Sequence, residues 1–173
     1  PTIGGVAIVF TFFLSMLLVY SFNHEPLITE RYFLGFTFSS LLIAGMSLYD
    51  DLKQKAFYIR LATHIVGVIV FISFGITIHH VNFPYNVWFI NNSSLGMASY
   101  VVTFFWILGM TNAYNFMDGL NGMAGGNAVI ASVFFCIISF HQGSNFTYIV
   151  SYTLAAGVLG FLVFNFPRAK LFM

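Results

Sequence analysis

Four stretches of this chain carry no charged side chain at all: residues 1–24, 32–49, 61–117 and 119–167. An ordinary globular chain has about 25% charged residues; here they are 6%, against 59% hydrophobic, with a mean hydropathy of +0.89. That is too little polar surface to keep a folded protein of this size in water, so the chain is an integral membrane protein. A spanning helix needs about 20 mostly apolar residues, and the four runs therefore hold one, one, two and two spans. The two long runs are broken by HHVNFPYNVWFINNSS at 79–94 and HQGSN at 141–145. The expected fold class is all-α, a polytopic transmembrane helix bundle with spans near 6–22, 32–49, 59–78, 95–114, 124–140 and 147–165, forming one membrane domain over 1–173.

Several classes fall away. PTIGG at the start has neither the Met nor the basic region of a signal peptide. That start, and the ending Leu171-Phe172-Met173, lead us to expect an excised piece of a longer protein. The lone Cys136 offers no disulfide or thiolate metal site and reads as a small buried hydrophobe. No basic stripe suggests nucleic acid, and the sequons at Asn91, Asn92 and Asn145 are patterns short enough to arise by chance.

Six alternating spans place 1–5, 50–58, 115–123 and 166–173 on one side of the membrane. That side holds Lys53, Lys55, Arg168 and Lys170, with Arg60 at its rim, while the other holds only Arg31. Basic residues accumulate on cytoplasmic loops, so the first side is expected to be cytoplasmic. It also receives Asp50, Asp51 and Asp118.

Asp50 and Asp51 close the second span in SLLIAGMSLYDDLKQK. They could be a plain polar helix end. Yet carboxylates at a helix C-terminus oppose its dipole, and adjacent carboxylates repel unless a cation is near. Lys53 and Lys55 could supply that charge, as could Mg²⁺, which commonly takes one or two carboxylates together with substrate phosphates. In NAYNFMDGLNGMAGG, residues 112–126, Asn112, Asn115, Asp118 and Asn121 recur every third position. Each such step falls about 60° short of a full helical turn, so the four cannot share one face. A helix ending near Gly119 and loosening through Gly122, Gly125 and Gly126 could turn several of them onto one ligand. The plainer alternative is a polar interhelical patch with Asp118 at the water boundary. Arg168 and Lys170 could bind phosphate or merely set topology. Phe172 could be an interface aromatic, and His64 could be a relay, although the plainer reading, a hydrogen-bonded core histidine, is preferred.

PTIGG, YDDLKQK, NAYNFMDGLNGMAGG and FNFPRAKLFM, in this order and spacing, resemble the polyprenyl-phosphate N-acetylhexosamine-1-phosphate transferases. The resemblance covers the whole chain, and NFMDG is closer in style to the O-antigen and capsule initiators than to the peptidoglycan enzyme. It implies transfer of a sugar-1-phosphate from a UDP-N-acetylhexosamine to undecaprenyl or another polyprenyl phosphate, with release of UMP. The family works at the cytoplasmic face of the bacterial inner membrane with Mg²⁺, Mn²⁺ being an alternative ion, and a homodimer is an expected assembly. By similarity Asp50 and Asp51 are the catalytic pair near the lipid phosphate. Metal ligands are drawn from Asp50, Asp51 and Asp118. Asn112, Asn115, Asp118, Asn121, Lys53 and Phe172 line the substrate site, with Phe172 at the position that stacks on uracil. The family often carries aspartate where this chain has Asn121, and an amide can hydrogen-bond a base edge but cannot act as a base. The family motif continues past Met173 with a metal-binding Gly-Asp and a later His-rich loop, and spans precede PTIGG. The chain lacks these, so it is expected to be inactive by itself.

The main rival is a transporter or channel with Asp118 in a substrate site. Against it, the carboxylates gather toward one face and no inverted repeat is visible. A purely structural subunit would leave the one-sided polar motifs without a purpose.

Overall fold

A peptide group in hydrocarbon has no water to bond, so each apolar run must satisfy its own backbone and closes into a helix. The computed structural model describes residues 4–22, 30–53, 57–80, 95–117 and 121–167, with the backbone alone at 30 and 50–52. The helices among them are α1 (Gly4–Phe22), α2 (Glu30–Lys53), α3 (Phe57–Ser73), α4 (Ala98–Met117), α5 (Met123–Gln142) and α6 (Asn145–Asn165). They follow the expected order. Gly4–Phe22, Arg31–Tyr49, Met123–Gln142 and Asn145–Asn165 are each long and apolar enough to cross a membrane. α3 is a shorter apolar helix of 17 residues, about 25 Å at 1.5 Å per residue and near the lower limit for a span. α4 has 20 residues and ends in a polar, uncharged run.

Burial is inverted relative to a water-soluble protein. Phe10, Phe105, Phe134, Phe140 and Val163 are exposed, whereas Ser39, Ser99, Thr103, Ser132, Ser139 and Ser151 are buried. Such a surface suits lipid, and small or hydroxylated residues suit close helix contacts within it. Two of these hydroxyls bond their own helix: Ser39 Oγ donates to Gly35 O at 2.6 Å and Thr103 Oγ1 to Ser99 O at 2.7 Å, while Ser99 Oγ is buried without a partner.

The chain divides into two compact units. One comprises Pro1–Thr29, Asp51–Lys53 and Tyr114–Met173. Here α6 packs against both α5 and α1, around a core of Ile8, Val158 and Phe161. Small residues let the backbones approach: a Cβ on Gly125 would lie 3.0 Å from Leu162 Cδ2, and one on Gly157 3.3 Å from Thr11 Oγ1. An open groove of about 510 Å³ lies along α1 and α6, lined among the described residues by Gly4, Ala7, Tyr152, Gly157, Gly160, Phe164 and others, none of them a carboxylate or amide.

The other unit comprises Glu30–Asp50 and Gln54–Ala113. α2 lies on α3, where a Cβ on Gly67 would fall 2.7 Å from Ile43 Cγ1. Arg31 at the start of α2 donates to Ser73 O at the end of α3, at 3.2 Å, which fixes the pair as antiparallel. α3 ends earlier than the expected 59–78. Gly75, at φ 88°, turns the chain out of the helix, its N–H bonding Ile72 O at 2.8 Å. The apolar residues beyond continue without helix, and Ile78 N–H is taken by Thr103 Oγ1 of α4 at 2.8 Å. Hydropathy counted these residues into the span; the backbone does not.

The Gly67 contact gives a test. Gly67→Leu forces side-chain bulk into Ile43 and should cost about 1–3 kcal/mol, as overpacking does. Gly45→Ala has nothing within 4 Å of its Cβ and should leave the midpoint unchanged or higher, with thermal unfolding in detergent as the measurement.

Candidate functional site

The carboxylate pair sits where the sequence put it in the chain. α2 stays helical through Lys53, so Asp50 and Asp51 occupy its last turn with an exposed Lys53 beside them in sequence. The side chains at 50 and 51 lie outside the described residues, as do Asp118, Arg168, Lys170 and Phe172. Adjacent helical positions are about 100° apart. One ion held by this pair would therefore draw further ligands from other segments or from phosphates. The candidate donors are all carboxylate oxygens, the hard ligands Mg²⁺ takes, so the donor chemistry fits that ion. Among the described residues no group of three His, Cys, Asp or Glu side chains forms a ready metal cluster.

The amides separate into three settings. Asn112 is half-buried on α4, its Nδ2 donating to Leu108 O at 2.7 Å, and it lies beside the buried His64 of α3. Asn115 is exposed one turn further along the same helix, which ends at Met117. Asn121 is exposed in the turn before α5.

That turn corrects one expectation. Gly125 and Gly126 are not loosened backbone, because α5 is helical from Met123. A single residue makes the break: Gly122 caps α5 with φ 72° and ψ −5°, a left-handed conformation that costs little only for glycine. Its carbonyl accepts from Gly126 N–H at 2.7 Å, starting the helix. Its own N–H donates to Oδ1 of Asn165, the last residue of α6, at 2.6 Å. Asn165 is buried, at 5% exposure. Phe166 covers the same glycine closely enough that a Cβ there would lie 2.8 Å from Phe166 Cδ2. The peptide bond after Phe166 is cis, to Pro167.

One hydrogen bond thus joins the NAYNFMDGLNGMAGG run to the NFPRAKLF segment, and sequence reasoning missed it. That reading weighed Arg168, Lys170 and Phe172 but not Asn165. The available signal was an amide closing an apolar helix two residues before a proline. By unit, the backbone of Asp51–Lys53 belongs with Tyr114–Met173, and so with Asn115, the Asn121–Gly122 turn and Asn165. Asn112 belongs with His64 in the other unit.

The sequence model of glycosyl transferase family 4 matches residues 33–173. A "probable undecaprenyl-phosphate N-acetylglucosaminyl 1-phosphate transferase" of Bacillus subtilis is 28% identical over 173 residues, covering 100% of this chain and 46% of the relative. Phospho-N-acetylmuramoyl-pentapeptide-transferases are similar too. That of Lacticaseibacillus paracasei is 29% identical over 184 residues, and that of Listeria monocytogenes 30% over 181, each covering 100% of this chain and 55% of the relative. The chain spans about half the length of these relatives. No solved structure matches.

The Asn165–Gly122 contact predicts coupled losses. Asn165→Leu leaves the part-buried Gly122 N–H unpaired and should cost about 1 kcal/mol, toward the low end for an unsatisfied donor. Gly122→Ala adds left-handed strain of about 1–2 kcal/mol and displaces Phe166. Because both break one assembly, the double variant should lose clearly less than the sum. Thermal unfolding in detergent measures this; strict additivity would show the two residues do not cooperate.

Proposed function

We propose a function from one premise, that this chain belongs to glycosyl transferase family 4. The protein carrying it transfers a sugar-1-phosphate, of the N-acetylhexosamine type, from a UDP-sugar to a polyprenyl phosphate. An oxygen of the lipid phosphate attacks the sugar-bearing phosphorus, the bond between the two phosphates of the donor breaks, and UMP leaves. The product is a lipid pyrophosphoryl sugar, the first membrane-bound intermediate of an envelope polysaccharide. The observation that carries this reading is the bond from Gly122 N–H to Asn165 Oδ1. It gives the amide-rich turn a fixed frame within a family whose named relatives are phosphosugar transferases. None of the relatives named above is a transporter.

Both substrates are anionic, so bringing them together demands positive charge and an in-line placement. Asp50 or Asp51 orients the lipid phosphate or takes its proton. Asn112, Asn115, Asp118 and Asn121 hold the nucleotide-sugar, with Phe172 against the uracil ring. Lys53, at the end of α2, offsets phosphate charge, as Arg168 and Lys170 would. Asp50, Asp51 and Asp118 are the groups that would hold Mg²⁺, which when bound neutralises pyrophosphate charge and stabilises the leaving phosphate. The excess of basic residues on the side of Lys53, Lys55, Arg168 and Lys170 supports a cytoplasmic site in an inner membrane.

The test uses membranes from source cells with variants at the chromosomal locus. Each UDP-N-acetylhexosamine, radiolabelled in its β-phosphate, is supplied with polyprenyl phosphate and Mg²⁺. Wild-type membranes should move label into lipid and release UMP stoichiometrically. Asp50→Asn should lower the rate by about a hundredfold or more, the range for losing a positioned acid or base. Unchanged transfer in that variant, or no transfer by wild type from any donor, would sink the proposal.

A further inference from the structure

The turn ahead of α5 is made by a residue with no conformational preference of its own. Gly122 holds φ 72°, yet glycine takes positive and negative φ about equally readily. The glycine makes the turn possible without making it fixed, so contacts from outside must hold it. Asn121, the exposed amide that the proposed reaction assigns to the nucleotide-sugar, stands directly before it. A change of conformation at Gly122 would swing Asn121 with it.

Gly122 is held from three directions. Its N–H donates to Asn165 Oδ1 at 2.6 Å, which fixes the peptide plane on the Asn121 side. Its carbonyl accepts from Gly126 N–H at 2.7 Å, which fixes the plane on the α5 side. Between them the side chain of Phe166 lies on the Cα: a Cβ added there would meet Phe166 Cδ2 at 2.8 Å and its Cβ and Cγ at 3.3 Å. The rest of that side chain is open, at 62% exposure. An aromatic at a membrane rim is ordinarily an interface anchor. Anchoring alone, however, gives the ring no reason to lie on a glycine in the cap of another helix.

Phe166 is itself placed by rigid structure. It caps α6 with extended backbone, φ −126° and ψ 144°, and its N–H bonds Leu162 O at 2.9 Å. Leu162 packs on Gly125 of α5, where an added Cβ would lie 3.0 Å from Leu162 Cδ2. Further along, Cys136 Sγ of α5 lies 3.8 Å from Tyr148 O of α6. Numbers rise along α5 as they fall along α6, so the two helices form an antiparallel hairpin with Gly122 and Phe166 at one end. The turn therefore rests against a ring that belongs to a packed pair of helices. Removing the ring leaves both hydrogen bonds but opens the space that a rearranged Gly122 would need.

We propose that Phe166 is a positioning residue for donor binding: by lying on Gly122 it blocks other conformations of that glycine and holds the Asn121 amide in one place. This rests on the transferase reading and adds a residue to which that reading gives no role. The test is steady-state kinetics in membranes from cells carrying each variant at the chromosomal locus. Phe166→Ala should raise KM for the UDP-sugar about three- to tenfold, the worth of one hydrogen bond. KM for polyprenyl phosphate should stay within about twofold of wild type, because only the donor's contacts are disturbed. Phe166→Tyr keeps the ring and should behave as wild type. Asn121→Ala should raise the same KM, and adding Phe166→Ala to it should change KM by less than about twofold, since the two act as one unit. A fall in folded enzyme lowers Vmax and leaves KM alone, so the readout survives a partial loss of stability. Should Phe166→Ala fail to accumulate, Phe166→Val is read in the same way. The inference is overturned if truncating Phe166 lowers Vmax at unchanged KM, or raises KM for the lipid instead. It is also overturned if the Asn121 and Phe166 effects multiply in full, or if Phe166→Tyr is as impaired as Phe166→Ala. Each of those outcomes leaves wild-type transfer intact and removes only this inference; absence of transfer by wild type from every donor removes the transferase reading and this one together.

Discussion

Hydrocarbon offers a backbone no second partner, and every feature of this chain follows from how that demand is met. Inside the apolar runs the helices satisfy it alone. Only at their ends does a peptide group need help; backbone supplies it after α5 and α6, and at three other described places a particular side chain does. Thr103 takes the N–H of Ile78 beyond α3, Arg31 reaches the carbonyl of Ser73, and Asn165 takes the N–H of Gly122 before α5. Polar residues are scarce in this sequence because there are few such places. Where they gather, the chain has left the helix, and a bound ligand could take over the same groups.

Lipid also removes the force that packs soluble helices, since a tail is as apolar as a leucine side chain. What remains is close contact and a few internal hydrogen bonds. Gly67 against Ile43 and Gly125 against Leu162 supply the first. The hydroxyl of Ser39 turns onto its own helix, whereas that of Thr103 bonds its own turn and also takes the N–H of Ile78 beyond α3. Asn165 likewise reaches another element, and such bonds convert packing into register.

The charge-free runs made the number and order of the helices legible, because a missing charge is a local property and a bilayer reads it residue by residue. Helix ends were less so. Hydropathy carried the third span to residue 78, past a glycine whose positive φ ends the helix at Ser73. The amide-rich run was correctly singled out as a break between spans, but its flexibility was overstated: one left-handed glycine makes the turn, and the later pair belongs to α5. The partner of that turn was illegible because it lies 43 residues away in the chain, and no periodicity connects Asn165 to Gly122. His64 was readable as a core histidine, and it is buried, yet nothing local named Asn112 as its neighbour. The carboxylates were found by type and place in the sequence. Asp118 and Phe172 fall outside the described residues, so their placement rests on the motif alone.

A reaction between a phosphate anchored by a long hydrocarbon chain and a nucleotide-sugar dissolved in water has only one level at which both can be present, the boundary of the bilayer. Groups that serve it must be held at helix ends rather than midway along a span. The carboxylates close α2 and the amides lie at the end of α4 and before α5, the arrangement the proposed transfer asks for. A transporter needs the opposite arrangement, with its polar groups near the midplane where two gates can isolate them. The buried polar side chains of the described helices are instead mostly single hydroxyls, with one histidine and the amide of Asn165 beside them.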